Sequence, residues 1–367
     1  MLNITNKMEN NIKNFKNIFA ADIVSQAFAH ARVNLIGEHT DYTGGYVLPS
    51  LLPYKTFVYI SENRNPTYAV YSEFFKEKIE FNDFMKSKSN EWVDYVKGCL
   101  FVFFDENEKI KNTYVNIYLE SDIPMGRGIS SSSALCVATL KALNKFFRTS
   151  FSDKHIAILA QKVERNYIGV AGGIMDQMVS SIGIQGKAFF LDCLSLKYEL
   201  LEIPSNWQFC LIDSAVQRNL RDSSYNERHE QLKNAEKILG VEYLGNVKLS
   251  TFNNNDFSDE VIYKRAKHVV TENDRVLNAK KCIRNNNLSQ FGELMNVSHY
   301  SYSNDFEAST EDVDLITKRS VESGAAGSRL TGGGFGGFTV SLIEKTNYDL
   351  WYKNMRKYYS KDKFFTV

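Results

Sequence analysis

Glycine placement constrains this chain more than any other feature of its 367 residues. Three of its 21 glycines lie in 37–45, two in 126–128, three in 169–173 and seven in 324–337. Glycine costs backbone entropy, so it concentrates where the chain turns tightly or approaches a ligand. Hydrophobic residues make up 43% and charged residues 24%, enough to bury a real core. That excludes bulk disorder and collagen-like repeats. Lys and Arg number 44 against 43 Asp and Glu. A near-neutral chain lacks the basic excess of a nucleic-acid binder, yet small anions need only a few local charges.

Cys99, Cys136, Cys193, Cys210 and Cys282 are odd in number and scattered, with no CxxC pair. A disulfide framework or zinc site is not expected, and a reducing compartment is. Met1 to Lys16 is rich in Asn and Lys without an apolar centre, so it does not read as a signal peptide. No run of about 18 apolar residues occurs. A soluble cytoplasmic protein is the expectation.

Apolar alternation predicts strands over 113–119, 187–191, 209–213 and 338–342. Helical spacing predicts helices over 134–147, 156–167, 225–239, 263–285, 288–301 and 313–323. The pattern is α+β, divided as 1–200 and 201–367.

Each glycine window carries chemistry. The first, Arg32 to Gly45, holds Arg32, Glu38, His39 and Asp41 between apolar strands. Carboxylates with His and Arg on one loop suit a polyhydroxylated ligand, because each acid accepts hydroxyl hydrogen bonds. A solvated hairpin turn would look similar. In the second window, Gly126, Arg127, Gly128, Ile129, Ser130, Ser131, Ser132 and Ser133 run into a helix. Its N-terminus is an anion site, and the hydroxyls add donors and a Mg²⁺ ligand. No Gly-Lys-Ser/Thr follows, so it is not a Walker A loop. The third window joins Glu164 to Gly173 and Asp176, which is either a general base beside a cation or a helix N-cap. The fourth, Gly324 to Phe338, lies between a helix and a strand. Such a loop can close on a ligand, and tight turns alone also need glycine.

Together, RVNLIGEHTDYTGGYVLP at Arg32–Pro49, PMGRGISSSSA at Pro124–Ala134 and GSRLTGGGFGGFTV at Gly327–Val340 resemble the GHMP kinase family, and within it the galactokinases. The resemblance covers about residues 20–345. It implies an N-terminal ribosomal-protein-S5-like α/β domain, a C-terminal ferredoxin-like α+β domain and an active site in the cleft between them. It further implies ATP-dependent phosphorylation of α-D-galactose at the C1 hydroxyl. Related sugars such as N-acetylgalactosamine or L-arabinose, or a non-catalytic galactose and ATP sensor, are the alternatives. By the same resemblance, Asp176 and Arg32 are catalytic. Glu38, His39, Asp41, Gly173 and Tyr225 contact the sugar. Trp92, Gly126, Arg127, Gly128 and Ser130 to Ser133 hold ATP, Ser132 and Glu164 hold Mg²⁺, and the fourth window returns over the nucleotide. A monomer is implied, with no nucleic-acid or membrane partner. Ser133 replaces a usual Ala, and Gly172 stands where many relatives carry Cys.

Overall fold

The computed structural model describes residues 2–84, 92–110, 113–124, 128–216, 221–253 and 257–367. Gly126 and Arg127 lie outside them. Helix α1 (Leu2–Phe19) precedes strands β1 (Ser25–Asn34), β2 (Tyr46–Val47), β3 (Pro49–Glu62), β4 (Tyr68–Ser72) and β5 (Glu77–Phe81). Then come α2 (Val93–Asp105), β6 (Val115–Ser121), α3 (Ser131–Phe147), α4 (Asp153–Lys162), α5 (Met175–Ile182), β7 (Lys187–Asp192) and β8 (Tyr198–Glu202). The remainder comprises β9 (Trp207–Asp213), α6 (Arg221–Leu239), α7 (Glu260–Arg284), α8 (Leu288–Asn304), α9 (Glu311–Glu322), β10 (Gly327–Thr331), β11 (Phe338–Glu344), α10 (Tyr348–Met355) and β12 (Phe364–Thr366).

Two sheets organise these elements. The first runs β2-β7-β3-β6-β4-β5, with β1 on β3 and β8 on β7. Its pairs are antiparallel except β4 with β6. The second is β10-β11-β9-β12, antiparallel throughout. Along β1, Ala27, Ala29, Ala31 and Val33 are buried while Gln26 and Phe28 are exposed. That is the period-2 pattern of a half-buried strand. Helix α3 packs on β1, contributing buried Ala134, Val137 and Ala138. The register of β1 against β3 slips between His30 and Arg32. The extra residues lie on β3, where residues 52–54 stand opposite Ala31. The alternation of β1 therefore carries on unbroken and sets Arg32 on the face opposite Ala31 and Val33.

Helix α4 ends earlier than the periodicity predicts. Its last turn widens into π-helix over Val163–Ile168, which carries Glu164. Single π turns inside helices recur at functional sites. Ser152 caps α4 as expected, accepting from the His155 N–H.

A buried ionic cluster ties the β10 end to the first window. Arg329 is fully buried and donates to Glu38 Oε1 at 3.2 Å and to Ser298 Oγ at 3.1 Å. Glu272 of α7 faces Arg329 Nη2 at 3.8 Å and pairs with Arg275 Nε at 2.6 Å. It also accepts from the Gly37 N–H at 2.9 Å and from Ser298 Oγ at 2.7 Å. Burial would raise the Glu272 carboxyl, but Arg275 and Arg329 outweigh it and bring it down to about 2.

Replacing Glu272 with Ala strips Arg275 and Arg329 of a counter-charge inside the protein. Breaking a buried pair from one side costs about 3–5 kcal/mol. A lower urea midpoint at pH 7 is expected. Because the folded pKa is depressed, Glu272 stabilises above its unfolded value and loses that contribution as pH falls toward 2. The gap between parent and variant therefore closes in acid. An unfolding free energy within about 1 kcal/mol of the parent at pH 7, well short of the cost of breaking a buried pair, would rule out this account of the cluster.

Candidate active site

The site is a cavity of about 830 Å³ between the two sheets. Arg32, Glu38, His39 and Asp41 line it from the first window, with Gly128 and Ser130 to Ser133 from the second. Glu164, Gly173 and Asp176 line it from the third, and Gly332 and Gly333 from the fourth. Tyr225 and Asn226 complete it from α6. Windows far apart in the chain thus share one cleft. Its size lies within the range of small-molecule sites.

Its floor is a bidentate ion pair. Arg32 Nε reaches Asp176 Oδ1 at 2.6 Å, and Nη2 reaches Oδ2 at 2.8 Å. The third guanidinium nitrogen donates to the Gly128 carbonyl at 3.0 Å. Asp176 sits in the first turn of α5, but Ile174 is the N-cap and no side chain caps the helix. The capping alternative for Asp176 is therefore excluded. Arg32 is 5% exposed. Burial pulls its pKa down, and the negative charges of Asp176, Glu38 and Asp41 more than reverse that, leaving it raised.

Two serines expected on phosphate face carboxylates instead. Ser130 adopts a left-handed backbone (φ 64°) and its hydroxyl donates to Asp176 Oδ2. Non-glycine residues rarely hold that conformation. Ser133 donates to Glu164 Oε2 at 3.0 Å, an oxygen that the Gln177 amide also engages. Ser132 hydrogen-bonds Glu164 as well. Burial, followed by the charge of Asp176, raises the Glu164 carboxyl above its ordinary value despite these donors. The chain opposes no cation to Glu164 among the described ion pairs.

His39 and Glu38 also turn inward. Tyr302 gives its proton to the Gly332 carbonyl at 2.8 Å, so it accepts from His39 Nε2 at 2.9 Å. His39 Nδ1 then accepts from Tyr42 at 2.7 Å. Burial, His268, Arg228 and Arg329 hold the His39 pKa well below its usual value, so the ring is neutral. Both ring nitrogens are bonded within the protein, while the residue still lines the cleft. Glu38 Oε1 accepts from Arg329 and from the Gly332 N–H at 2.8 Å, and Oε2 from Asn34. The fourth window therefore seats on the first. The expectation had placed it over the nucleotide.

Asp41 is half-buried and presses against Gly173, where a Cβ would overlap its carboxylate. Only glycine permits that approach. Trp92 is not among the described lining residues. It stacks on Phe75 at 5.6 Å and donates to Glu77 at 3.2 Å, while Asp94 and Tyr95 line the cleft. That corrects its expected place in the nucleotide site. Arg165, on the π turn, lines the cleft and was not singled out from the sequence, because a lone Arg on a helix carries no signal.

Comparison with known proteins bears on this geometry. The description "GHMP kinases N terminal domain" matches residues 94–183, "Galactokinase galactose-binding signature" matches 13–62 and "GHMP kinases C terminal" matches 279–361. A galactokinase of Fusobacterium nucleatum is 36% identical, covering 96% of this chain and 94% of that protein. One from Clostridium acetobutylicum is also 36% identical, over 95% and 92%. The chain belongs to the galactokinase family of GHMP kinases. The structure of Lactococcus lactis galactokinase complexed with galactose superposes with a TM-score of 0.91 at 31% identity, covering 98% of this chain and 97% of that one. Methanococcus jannaschii mevalonate kinase, at 20% identity and a TM-score of 0.68, shares the fold.

Burial, then the charge of Asp176, lifts the Asp41 carboxyl to about 7, and Arg32 offsets this only in part. A carboxyl raised in the folded state leaves stability intact below its unfolded value, near 4, and erodes it as pH rises to 7. Replacing Asp41 with Asn in the ligand-free protein should raise Tm by about 2–4 °C at pH 8. The difference should vanish near pH 4. Equal effects at both pH values would refute the assignment.

Proposed function

We propose that this chain transfers the γ-phosphoryl group of ATP to the C1 hydroxyl of galactose, giving galactose 1-phosphate and ADP. The Arg32–Asp176 pair, set between the first window and the N-terminus of α3, carries this reading. Asp176 Oδ2 accepts from both Arg32 and Ser130, whereas Oδ1 accepts only from Arg32 among the described contacts. Oδ1 therefore keeps a lone pair for the substrate hydroxyl. As the proton moves to Oδ1, the Arg32 guanidinium offsets the negative charge developing on the sugar oxygen. Phosphoryl transfer asks the protein mainly for position and charge. Asp41 and Tyr225 face the sugar, with Gly173 giving it close approach.

The α3 N-terminus faces the phosphates with unpaired N–H groups at Ser131 and Ser132. Ser132 and Glu164 are hard oxygen donors in a half-exposed position, with no cation opposed to Glu164 among the described ion pairs, which suits Mg²⁺. Mg²⁺ held there would offset the negative charge of the phosphates. The described residues contain no group of three His, Cys, Asp or Glu side chains that would hold a metal alone. A two-donor site completed by phosphate oxygens and water agrees with that. Among the described residues no helix is long and apolar enough to cross a membrane. Five buried, unbridged cysteines support a reducing cytoplasm.

Asp176→Asn should lower kcat with galactose by about 10²–10⁴-fold, with a smaller change in KM. Arg32→Met should likewise act mainly on kcat. ADP release across galactose, N-acetylgalactosamine and L-arabinose checks both variants and the substrate, with galactose expected fastest. Near-parental turnover in the Asp176 variant would overturn the mechanism. An absence of ADP release with every sugar tried would favour a sensor.

A further inference from the structure

We propose that Ser133 is a positioning residue. With the Gln177 amide it occupies one carboxylate oxygen of Glu164, so that the other is presented to the divalent cation. This rests on the reading above that Glu164 is a cation ligand.

Ser133 and Gln177 are each 2% exposed, so both hydrogen-bonding groups are out of bulk water. Ser133 Oγ lies 3.0 Å from Glu164 Oε2, and Gln177 Nε2 donates to that same oxygen while lying 3.4 Å from Ser133 Oγ. An ionised carboxylate oxygen offers two in-plane lone pairs, so two donors saturate Oε2. The carboxylate can then neither rotate nor chelate through both oxygens. It is held as a one-oxygen ligand.

The Gln177 amide orientation follows from the same chemistry. A carboxylate only accepts, so the NH₂ must face Glu164 and the carbonyl must turn away. Gln177 Oε1 is buried and has no hydrogen-bond partner among the described residues, although Gln177 lines the cleft. A buried orphan acceptor on the residue whose amide holds Glu164 calls for a donor. A cation that retains several of its waters supplies one. The orphan is thus a second observation pointing to a hydrated cation, independent of the hydroxyl geometry.

Partners one layer behind a metal ligand commonly change affinity by about 10–100-fold when removed. The probe is Mn²⁺, titrated into the full chain with ADP and followed by the electron spin resonance of the free ion. Ser133→Ala is expected to weaken Mn²⁺ about tenfold, while calorimetric galactose affinity without nucleotide moves less than about twofold. Mn²⁺ affinity unchanged in Ser133→Ala overturns the proposal. A parallel loss of galactose and Mn²⁺ binding overturns it too, because Ser133 would then be a general packing residue. Should Ser133→Ala not fold, Ser133→Cys keeps the volume with a weak donor and is read by the same two measurements. Glu164→Gln separates the two readings. If it leaves Mn²⁺ affinity unchanged, Glu164 is not the ligand and both fail. If it weakens Mn²⁺ and Ser133→Ala does not, the positioning role alone fails.

Discussion

Arg329 is the charge on which the cleft depends. It comes from β10 of the second sheet, yet its partners are Glu38 of the first window and Ser298 and Glu272 of the helical layer. Thr331, two residues on, both accepts from the Asn34 N–H and donates to the Asn34 carbonyl. A fully buried guanidinium cannot shed its proton, so it must be surrounded by acceptors. Those acceptors fix where Glu38 stands. Glu38 in turn fixes Gly332, and Gly332 fixes the tautomer of His39 through Tyr302. The first and fourth windows are therefore one rigid wall.

The opposite wall is built on Arg32. Residues 32 and 176 are 144 positions apart and meet through two hydrogen bonds. Asp176, Asp41, Glu38 and Glu164 share one cleft. The raised carboxyls of Asp41 and Glu164 show the cost of that crowding. Such stress belongs at a functional site, where stability is given up for a prearranged field. In the reading proposed above, the charges of Asp41 and Glu164 await compensation from sugar hydroxyls and a cation.

Much of this was legible in the sequence. The strand periodicities found β6, β7, β9 and β11, and the glycine windows found the cleft. The unread parts have physical causes. Helix α1 is Asn-rich and poor in strong helix formers. Its order comes from tertiary contacts, with Phe15 fully buried against Tyr118 and Asn11 bonded to Tyr59 and Glu120. Periodicity counts a π turn as more α-helix, so the widening at Val163 was invisible. Ser130 and Ser133 were read as phosphate donors because a serine run before a helix has that look. Only the fold brings Asp176 and Glu164 within their reach. Trp92 was read by its segment, and the structure gives that segment's cleft face to Asp94 and Tyr95.

The serine run thus divides by helix geometry. Successive residues on α3 are about 100° apart, so four consecutive serines cannot share one task. Ser130, outside the helix in its left-handed turn, reaches the base at Asp176. Ser133, a full turn in and buried, reaches behind Glu164. Ser131 and Ser132 remain half-exposed at the helix mouth, where the N–H groups are unpaired. In the proposed reading, a glycine-serine loop that looks uniform in sequence therefore serves the base, the phosphates and the cation ligand in turn. The division is imposed by the left-handed residue that starts the helix. Were Ser130 to take helical backbone angles instead, its side chain would be re-aimed from the Asp176 oxygen it now meets, while Ser133 would stay on Glu164.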